Sequence, residues 1–130
     1  MKMKFKFKYY RLQDQLIDRI KDSGIPCRIK KDKTIEYARK HKDEIDDLIC
    51  DIRFSLFERP ASRIWNDDID KKHLVDKFVE SNIPYFEEDH DGVTWFLYNY
   101  CDSEIIGDIE REIGVLNHIL AEQINQPNAE

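Results

Sequence analysis

The first nine residues alternate between apolar and basic side chains. Met1, Met3, Phe5, Phe7 and Tyr9 occupy the odd positions, and a lysine stands at each even position between them. Such alternation is typical of a strand with one buried face, because successive strand side chains point to opposite faces. We therefore predict a strand over 1–9. Its lysine face fits either protection of an exposed sheet edge, which the acidic balance of the chain favours, or a nucleic-acid patch.

Two segments of eleven residues share one pattern of apolar, charged and turn residues. Residues 16–26 (LIDRIKDSGIP) and 74–84 (LVDKFVESNIP) are identical at five positions and chemically similar at most of the others. Each helical pattern ends in a residue that tolerates left-handed backbone, Gly24 in one and Asn82 in the other, and Ile-Pro comes next. The match predicts two amphipathic helices with equivalent C-terminal caps, and hence a duplicated chain.

The pattern after the first segment predicts two strands and a helix. The strands cover 25–30 and 34–39 around a polar tip, and the helix begins near Asp43 with apolar residues at helical spacing. A further strand is predicted over 54–57. The first copy therefore has the βαββαβ order of ferredoxin-like domains, over residues 1–59.

The second copy, residues 60–130, repeats this order without the last strand. A short strand is predicted at 63–65, and a hairpin comes after the second segment, with its tip over 89–92. A long helix begins at Asp102 or Ser103. The predicted fold is α+β, with two tandem ferredoxin-like (βαββα-type) repeats forming one compact unit and an extended C-terminal helix.

Composition narrows the classes of function. The net charge of −6 disfavours a general nucleic-acid binder, although charged residues make up 37% of the chain. The three cysteines form no CxxC motif and are expected to be small buried apolar residues. No signal-like or membrane-spanning run is present, which predicts a cytoplasmic protein. No motif for a nucleophile, phosphate loop or metal is found, so we expect no catalytic residue, no cofactor and no metal site.

The segment EEDHDG at 87–92 is the strongest candidate for a chemical site. Carboxylates beside His90 are suited to acid–base or metal chemistry. Asp91-Gly92 between two strands, however, is also a strong hairpin-turn signal, and neighbouring strand residues point in opposite directions. The sequence favours a solvated hairpin tip over a reactive site.

Two features point to a surface that meets a partner. The tips of the two hairpins carry opposite charge, which suits complementary contacts within or between chains. The strand from Val93 to Tyr100 is apolar on both faces, which implies that something covers each face. The predicted partner-binding residues are Lys30, Lys31, Lys33, Glu87, Glu88, Asp89, Asp91, Phe96, Tyr98 and Tyr100.

The segments SGIPCRIKKDKTIEYA and SNIPYFEEDHDGVTWFL resemble the helix, Gly-Ile-Pro and hairpin core of small ferredoxin-like regulatory domains, including ACT-like ones. The resemblance implies this fold. ACT-like domains bind amino acids at the loop between the first strand and the first helix. The corresponding segment of this chain is Tyr10–Asp14, which contains no glycine.

Three functions are open as hypotheses. The first is a non-catalytic interaction or regulatory module that binds a protein partner or itself, as a homodimer. The second is an acidic inhibitor or immunity-type protein whose helix face (Asp43, Glu44, Asp46, Asp47, Asp51) occupies a basic site on an enzyme or toxin. The third is a small-ligand sensor of the ACT-like type. An enzyme with a site at His90 is the least favoured alternative.

Overall fold

The computed structural model describes the backbone of residues 2–65 and 68–125, and the side chains of residues 2–65 and 71–114. Within these residues the chain is α+β, with four α-helices and a six-stranded antiparallel sheet. The strands are β1 (Lys2–Phe7), β2 (Arg28–Ile29), β3 (Ile35–Ala38), β4 (Pro60–Ile64), β5 (Tyr85–His90) and β6 (Val93–Asn99). The helices are α1 (Tyr10–Ser23), α2 (Lys42–Leu56), α3 (Asp68–Glu80) and α4 (Ser103–Asn125). Short 3₁₀ turns, Arg39–His41 and Tyr100–Asp102, precede α2 and α4.

The strands are arranged in the order β2-β3-β1-β5-β6-β4. In each half of the sheet a hairpin lies next to the strand that precedes it in the chain, so that β1 borders β3 and β4 borders β6. The predicted alternation is confirmed within β1, since Phe5 and Phe7 are buried and Lys4 is exposed. The strand predicted over 1–9 ends at Phe7, Tyr9 is exposed, and Met1 lies outside the described residues. The predicted place of β1 at a sheet edge is wrong, because β1 pairs with β3 on one side and with β5 on the other.

The chain groups into two compact units. One comprises Met1–Ile64 with Tyr85–Tyr100, and the other comprises Trp65–Pro84 with Cys101–Glu130. The first unit takes residues from both sides of the predicted boundary at 59 and 60, whereas the second lies wholly after it, and the boundary stays a prediction. None of the helices in the described residues combines the length and the apolar character needed to cross a lipid bilayer.

The first unit has its core between the sheet and the helices α1 and α2. The core includes the fully buried side chains Phe5, Phe7, Leu16, Ile20, Ile35, Ile45 and Ile52. Burial of each such side chain stabilises the fold by about 1.5–3 kcal/mol. In the second unit the buried side chains include Leu74, Phe78, Ile106, Ile109 and Ile113, at the helical spacing that an apolar stripe requires.

The strands predicted at 25–30 and 63–65 are Arg28–Ile29 and Pro60–Ile64, and three further predictions need correction. Residues 54–57 are not a strand, because α2 continues to Leu56 and its last turn is closed by a hydrogen bond from the Phe57 amide to the Arg53 carbonyl. Tyr10–Asp14 is not a loop, because α1 begins at Tyr10. The second hairpin turns at Asp91-Gly92, whose φ angles of 52° and 87° suit a tight turn, so that the predicted tip residues Asp89 and His90 lie inside β5.

The helices α1 and α3 end in the same backbone geometry. Gly24 has φ of 70°, and the amide of the next residue donates to the Ile20 carbonyl at 3.4 Å. Asn82 has φ of 56°, and the following amide donates to the Phe78 carbonyl at 2.9 Å. The predicted left-handed caps are therefore present at both helix ends.

These caps predict opposite effects of two substitutions. Gly24→Ala is expected to destabilise the protein by about 1–2 kcal/mol, because a side chain disfavours the left-handed backbone. No atom lies within 4 Å of the added Cβ, so the loss is due to backbone strain alone. Asn82→Gly, at the equivalent position, is expected to leave stability unchanged or raise it slightly. Urea unfolding of both variants measures this, and an equal loss in the two would contradict the interpretation.

Candidate functional site

One face of the sheet carries rows of alternating charge. The lysines of β1 lie between carboxylates of β3, of the β2–β3 turn and of β5. We call this the charged sheet face, formed by Lys2, Lys4, Lys6, Lys8, Arg28, Asp32, Glu36, Glu87 and Asp89. Its ion pairs are 3.5–4.0 Å long, for example 3.8 Å from Lys8 Nζ to Glu87 Oε1. Lys8, Glu87 and Asp89 are about a third or more exposed, and such pairs contribute about 0–1 kcal/mol each. Glu36, by contrast, is only 11% exposed and lies among Lys2, Lys4 and Arg28.

The two predicted hairpin tips flank this face. The turn of the first hairpin carries Lys33, whose ammonium lies 2.6 Å from Asp14 Oδ1. The turn of the second is fixed to β1, because Asp91 Oδ1 accepts a hydrogen bond from the Lys4 amide at 2.8 Å. A groove of about 240 Å³ lies between them, bordered by Lys30 and Asp32 on one side and by Asp91 on the other. The structure thus brings the oppositely charged tips to the same part of the sheet.

The predicted partner-binding residues fall into two groups. Lys31, Lys33, Asp91 and Tyr100 are exposed, and Lys30, Glu87 and Asp89 are half-buried. Glu88, Phe96 and Tyr98 have exposed fractions of only 0%, 1% and 2%. The expectation that these three side chains offer surface to a partner is therefore wrong for the folded chain, which itself covers them.

The buried carboxylate of Glu88 belongs to an ion cluster that the sequence did not predict. Glu88 and His90 lie two residues apart on β5 and share the sheet face of Phe5 and Phe7. Arg53 of α2 donates to both oxygens of Glu88, from Nε at 2.9 Å and from Nη2 at 2.5 Å. His90 Nε2 lies 2.9 Å from Glu88 Oε1. The spacing of Glu88 and His90 was a signal of a shared face, but nothing local identified Arg53.

The pKa shifts of Glu88 and Arg53 both favour the charged form of the group. Burial by itself raises the pKa of Glu88, but hydrogen bonds from His90 and Arg53 outweigh it and hold that pKa below its ordinary value. Burial likewise lowers the pKa of Arg53, and the bonds to Glu88 outweigh it and raise that pKa. Because both oxygens of the Glu88 carboxylate are hydrogen-bonded and closed to solvent, the cluster ties α2 to β5.

Other candidate chemistry is sparse. Within the side chains that the structure describes, no group of three or more His, Cys, Asp and Glu residues could hold a metal ion. Cys27 and Cys50 are half-buried, whereas Cys101 is exposed, so the expectation of a buried residue is wrong for Cys101. All three cysteines are free thiols.

Comparisons with protein-family models, with curated proteins and with solved structures give no significant match. The function is therefore inferred from the geometry of the chain itself.

Proposed function

We propose that this chain is a non-catalytic protein-interaction module that pairs with a second copy of itself through β4. The observation that carries the proposal is the contrast between the two edges of the sheet. Among the described strands, β4 has five residues and pairs with β6 alone, and its central residue is Ser62. β2, the other edge strand, has two residues and is followed by Lys30. Short strands and lysines protect an edge against pairing, and both features occur at β2, whereas β4 is longer and its protecting features are Pro60 at its first position and Arg63.

Antiparallel pairing of two β4 strands about Ser62 is self-complementary. It places Ile64 opposite Pro60 of the second copy and Arg63 opposite Ala61, so that no like charges meet. Ile64 is 36% exposed and lies beside Trp95 on the same sheet face, which makes it an apolar contact available to the second copy. Because this interface has two-fold symmetry, each contact away from the axis occurs twice.

The proposal includes the duplication of a ferredoxin-like βαββα repeat. It is supported by the order of elements, in which β1-α1-β2-β3-α2 is followed by β4-α3-β5-β6-α4. It is also supported by the repeated strand order within the sheet and by the matching caps at Gly24 and Asn82. The start of β4 at Pro60 agrees with a second repeat over 60–130.

Pairing through β4 would leave the charged sheet faces of both copies on the same side of one continuous sheet. A face with cations and carboxylates in alternate rows suits another protein with mixed charge, since it offers ion-pair partners of both signs. The exposed predicted residues, Lys31, Lys33 and Asp91, border this face and are the proposed contacts of a further protein partner.

Light scattering after size exclusion tests the pairing. We expect a species of twice the 15.7 kDa chain mass that dissociates on dilution. Ser62→Lys places two lysines side by side at the two-fold axis and is expected to weaken the dimer at least about tenfold. Ile29→Lys, on the other edge strand, is the matched control and is expected to have no effect. A monomer at all concentrations, or equal loss in both variants, would reject the proposal.

The acidic-inhibitor alternative is less well supported. Three of the five α2 carboxylates that would meet the basic site of a target lie beside Lys42, Arg19 or His41 of the chain itself. Asp46 lies 2.5 Å from Lys42 and Asp51 lies 3.7 Å from Arg19, while Glu44 is 3.4 Å from a histidine. A partner would have to displace these neighbours, which lowers the free energy available for binding.

A further inference from the structure

A hollow of about 400 Å³ lies beside the β2–β3 hairpin, at the end of the sheet where β1 begins. Basic residues from three separate elements line it: Lys2 of β1, Arg28 of β2, and Lys40 and His41 of the 3₁₀ turn that precedes α2. Among the described side chains, Glu36 is the one carboxylate in its wall. Since the whole chain carries a net charge of −6, the hollow is a local reversal of charge.

The lysine and arginine residues of the hollow have N–H donors that are not used in hydrogen bonds to the described residues. Lys2 Nζ lies 3.5 Å and Arg28 Nη1 lies 4.0 Å from Glu36 Oε1, distances that give attraction without a hydrogen bond. Within the part of the chain that the structure describes, Lys40 has no ion pair. By contrast, Lys33 Nζ lies 2.6 Å from Asp14 Oδ1, a distance at which the lysine donates a hydrogen bond. The guanidinium and the two ammonium groups can therefore bind a ligand without first losing a hydrogen bond to the protein.

The rest of the lining is uncharged. Pro26, Cys27 and Ala38 contribute to it, and the partial burial of Cys27 raises the pKa of its thiol, so that the thiol is neutral at physiological pH. The volume is at the lower end of the range of about 300–1,000 Å³ that is usual for small-molecule sites. The hollow thus combines a cationic rim with neutral surface that suits an organic group.

We propose that this hollow binds a small organic phosphate. A phosphate group has several acceptor oxygens, which matches cationic donors that approach from Lys2, Arg28 and Lys40. The fork of an arginine side chain pairs with two phosphate oxygens at once. The organic part of the ligand lies against Pro26 and Cys27. The site requires one chain only, so it goes beyond the proposed pairing through β4 and does not depend on it.

Inorganic phosphate is the probe, titrated into the ¹⁵N-labelled full chain at constant ionic strength and followed by amide chemical shifts. The expected result is a saturable shift confined to amides near Cys27, Arg28 and Lys40. Arg28→Gln and Lys40→Gln are each expected to weaken the apparent affinity about tenfold, the effect of one lost charge-assisted contact. Lys31→Gln is the matched control, because it removes an equal charge from an exposed lysine outside the hollow.

Three outcomes would overturn the proposal. They are shifts that grow without saturation, shifts that chloride reproduces, and a loss in Lys31→Gln equal to that in the hollow variants, which would indicate general charge attraction. Lys40→Gln is expected to leave folding unchanged, because Lys40 has no ion pair with a described residue. The unfolding temperature of each variant confirms that it is folded. Light scattering on the same samples keeps a failure of the site distinguishable from a failure of the dimer.

Discussion

Glu88→Gln is expected to lower the free energy of unfolding by about 3–5 kcal/mol, the loss caused by removing one partner of a buried ion pair. The glutamine would leave the charge of Arg53 without its carboxylate in a site where Glu88 is 0% exposed. Urea unfolding at neutral pH measures the difference. The matched control is Asp89→Asn on the same strand, whose half-buried carboxylate lies 3.8 Å from Lys8 Nζ in a pair that contributes about 1 kcal/mol or less.

A double variant separates the charge from the packing. Arg53→Met with Glu88→Leu removes both charges together and is expected to recover most of the lost stability, because apolar groups of similar size can replace a buried pair. If Glu88→Gln unfolded at the same urea concentration as the wild type, the cluster would not be a stabilising link between α2 and β5.

The same variant has a distinct pH dependence. The pKa of Glu88 is lower in the folded chain than its ordinary value of 4.5, so folding favours the ionised carboxylate. Its contribution to stability is therefore fully present above about pH 4.5 and is lost as the pH falls through the lower folded pKa. We expect the difference in stability between the wild type and Glu88→Gln to shrink as the pH falls below about 4.5. A constant difference down to acid unfolding would contradict the ion pair.

Gln13→Leu is expected to destabilise the protein by about 2–4 kcal/mol, although leucine favours both helix and burial. Gln13 is 0% exposed and joins three segments. Its Oε1 accepts from the Phe7 amide at 2.8 Å, and its Nε2 donates to the Lys33 carbonyl at 2.7 Å. Leucine would leave a buried amide and a partly buried carbonyl without partners. Thermal or urea unfolding measures the loss.

The neighbouring Gln15 provides the control, because it lies exposed on the same helix. Gln15→Leu is expected to change stability by about 0.5 kcal/mol or less, as is usual for surface substitutions. Hydrogen exchange adds a second readout, since Gln13→Leu should increase exchange at the Phe7 amide and in the β2–β3 turn, far along the chain from residue 13. Equal effects of the two substitutions would show that the bridge of Gln13 is not stabilising.

Gln13 also bears on the resemblance to ACT-like domains. The segment Tyr10–Asp14, which corresponds to the ligand-binding loop of ACT-like domains and was predicted to be a loop, is the first turn of α1. The connection from β1 to α1 is left with only Lys8 and Tyr9. The buried side chain of Gln13 extends from α1 to β1 and to the β2–β3 hairpin. Its amide oxygen and nitrogen are already hydrogen-bonded to the backbone of these segments. Ligand binding is therefore proposed at the basic hollow and not at this connection.

The sequence by itself determined the features that depend on local physics. The period of two in β1, the left-handed caps at Gly24 and Asn82, and the Asp91-Gly92 turn each result from the steric preferences of neighbouring residues. The apolar positions of α2, such as Ile45 and Ile52, were recognised from helical spacing and are buried. The end of α2 was not recognised from the sequence. The aromatic residues Phe54 and Phe57 suit a strand, but the helix that begins at Lys42 continues to Leu56.

The tertiary structure alone decided which distant groups meet. The place of β1 at the centre of the sheet depends on pairing with β5, which lies far along the chain from it. Because of that pairing, the β1 lysines lie in the charged sheet face and not along an exposed edge. It also placed Glu88 on the core face, where Arg53 of α2 reaches it. Local propensity contains no information on these long-range contacts, since they arise from the joint burial of apolar faces that only the folded chain brings together.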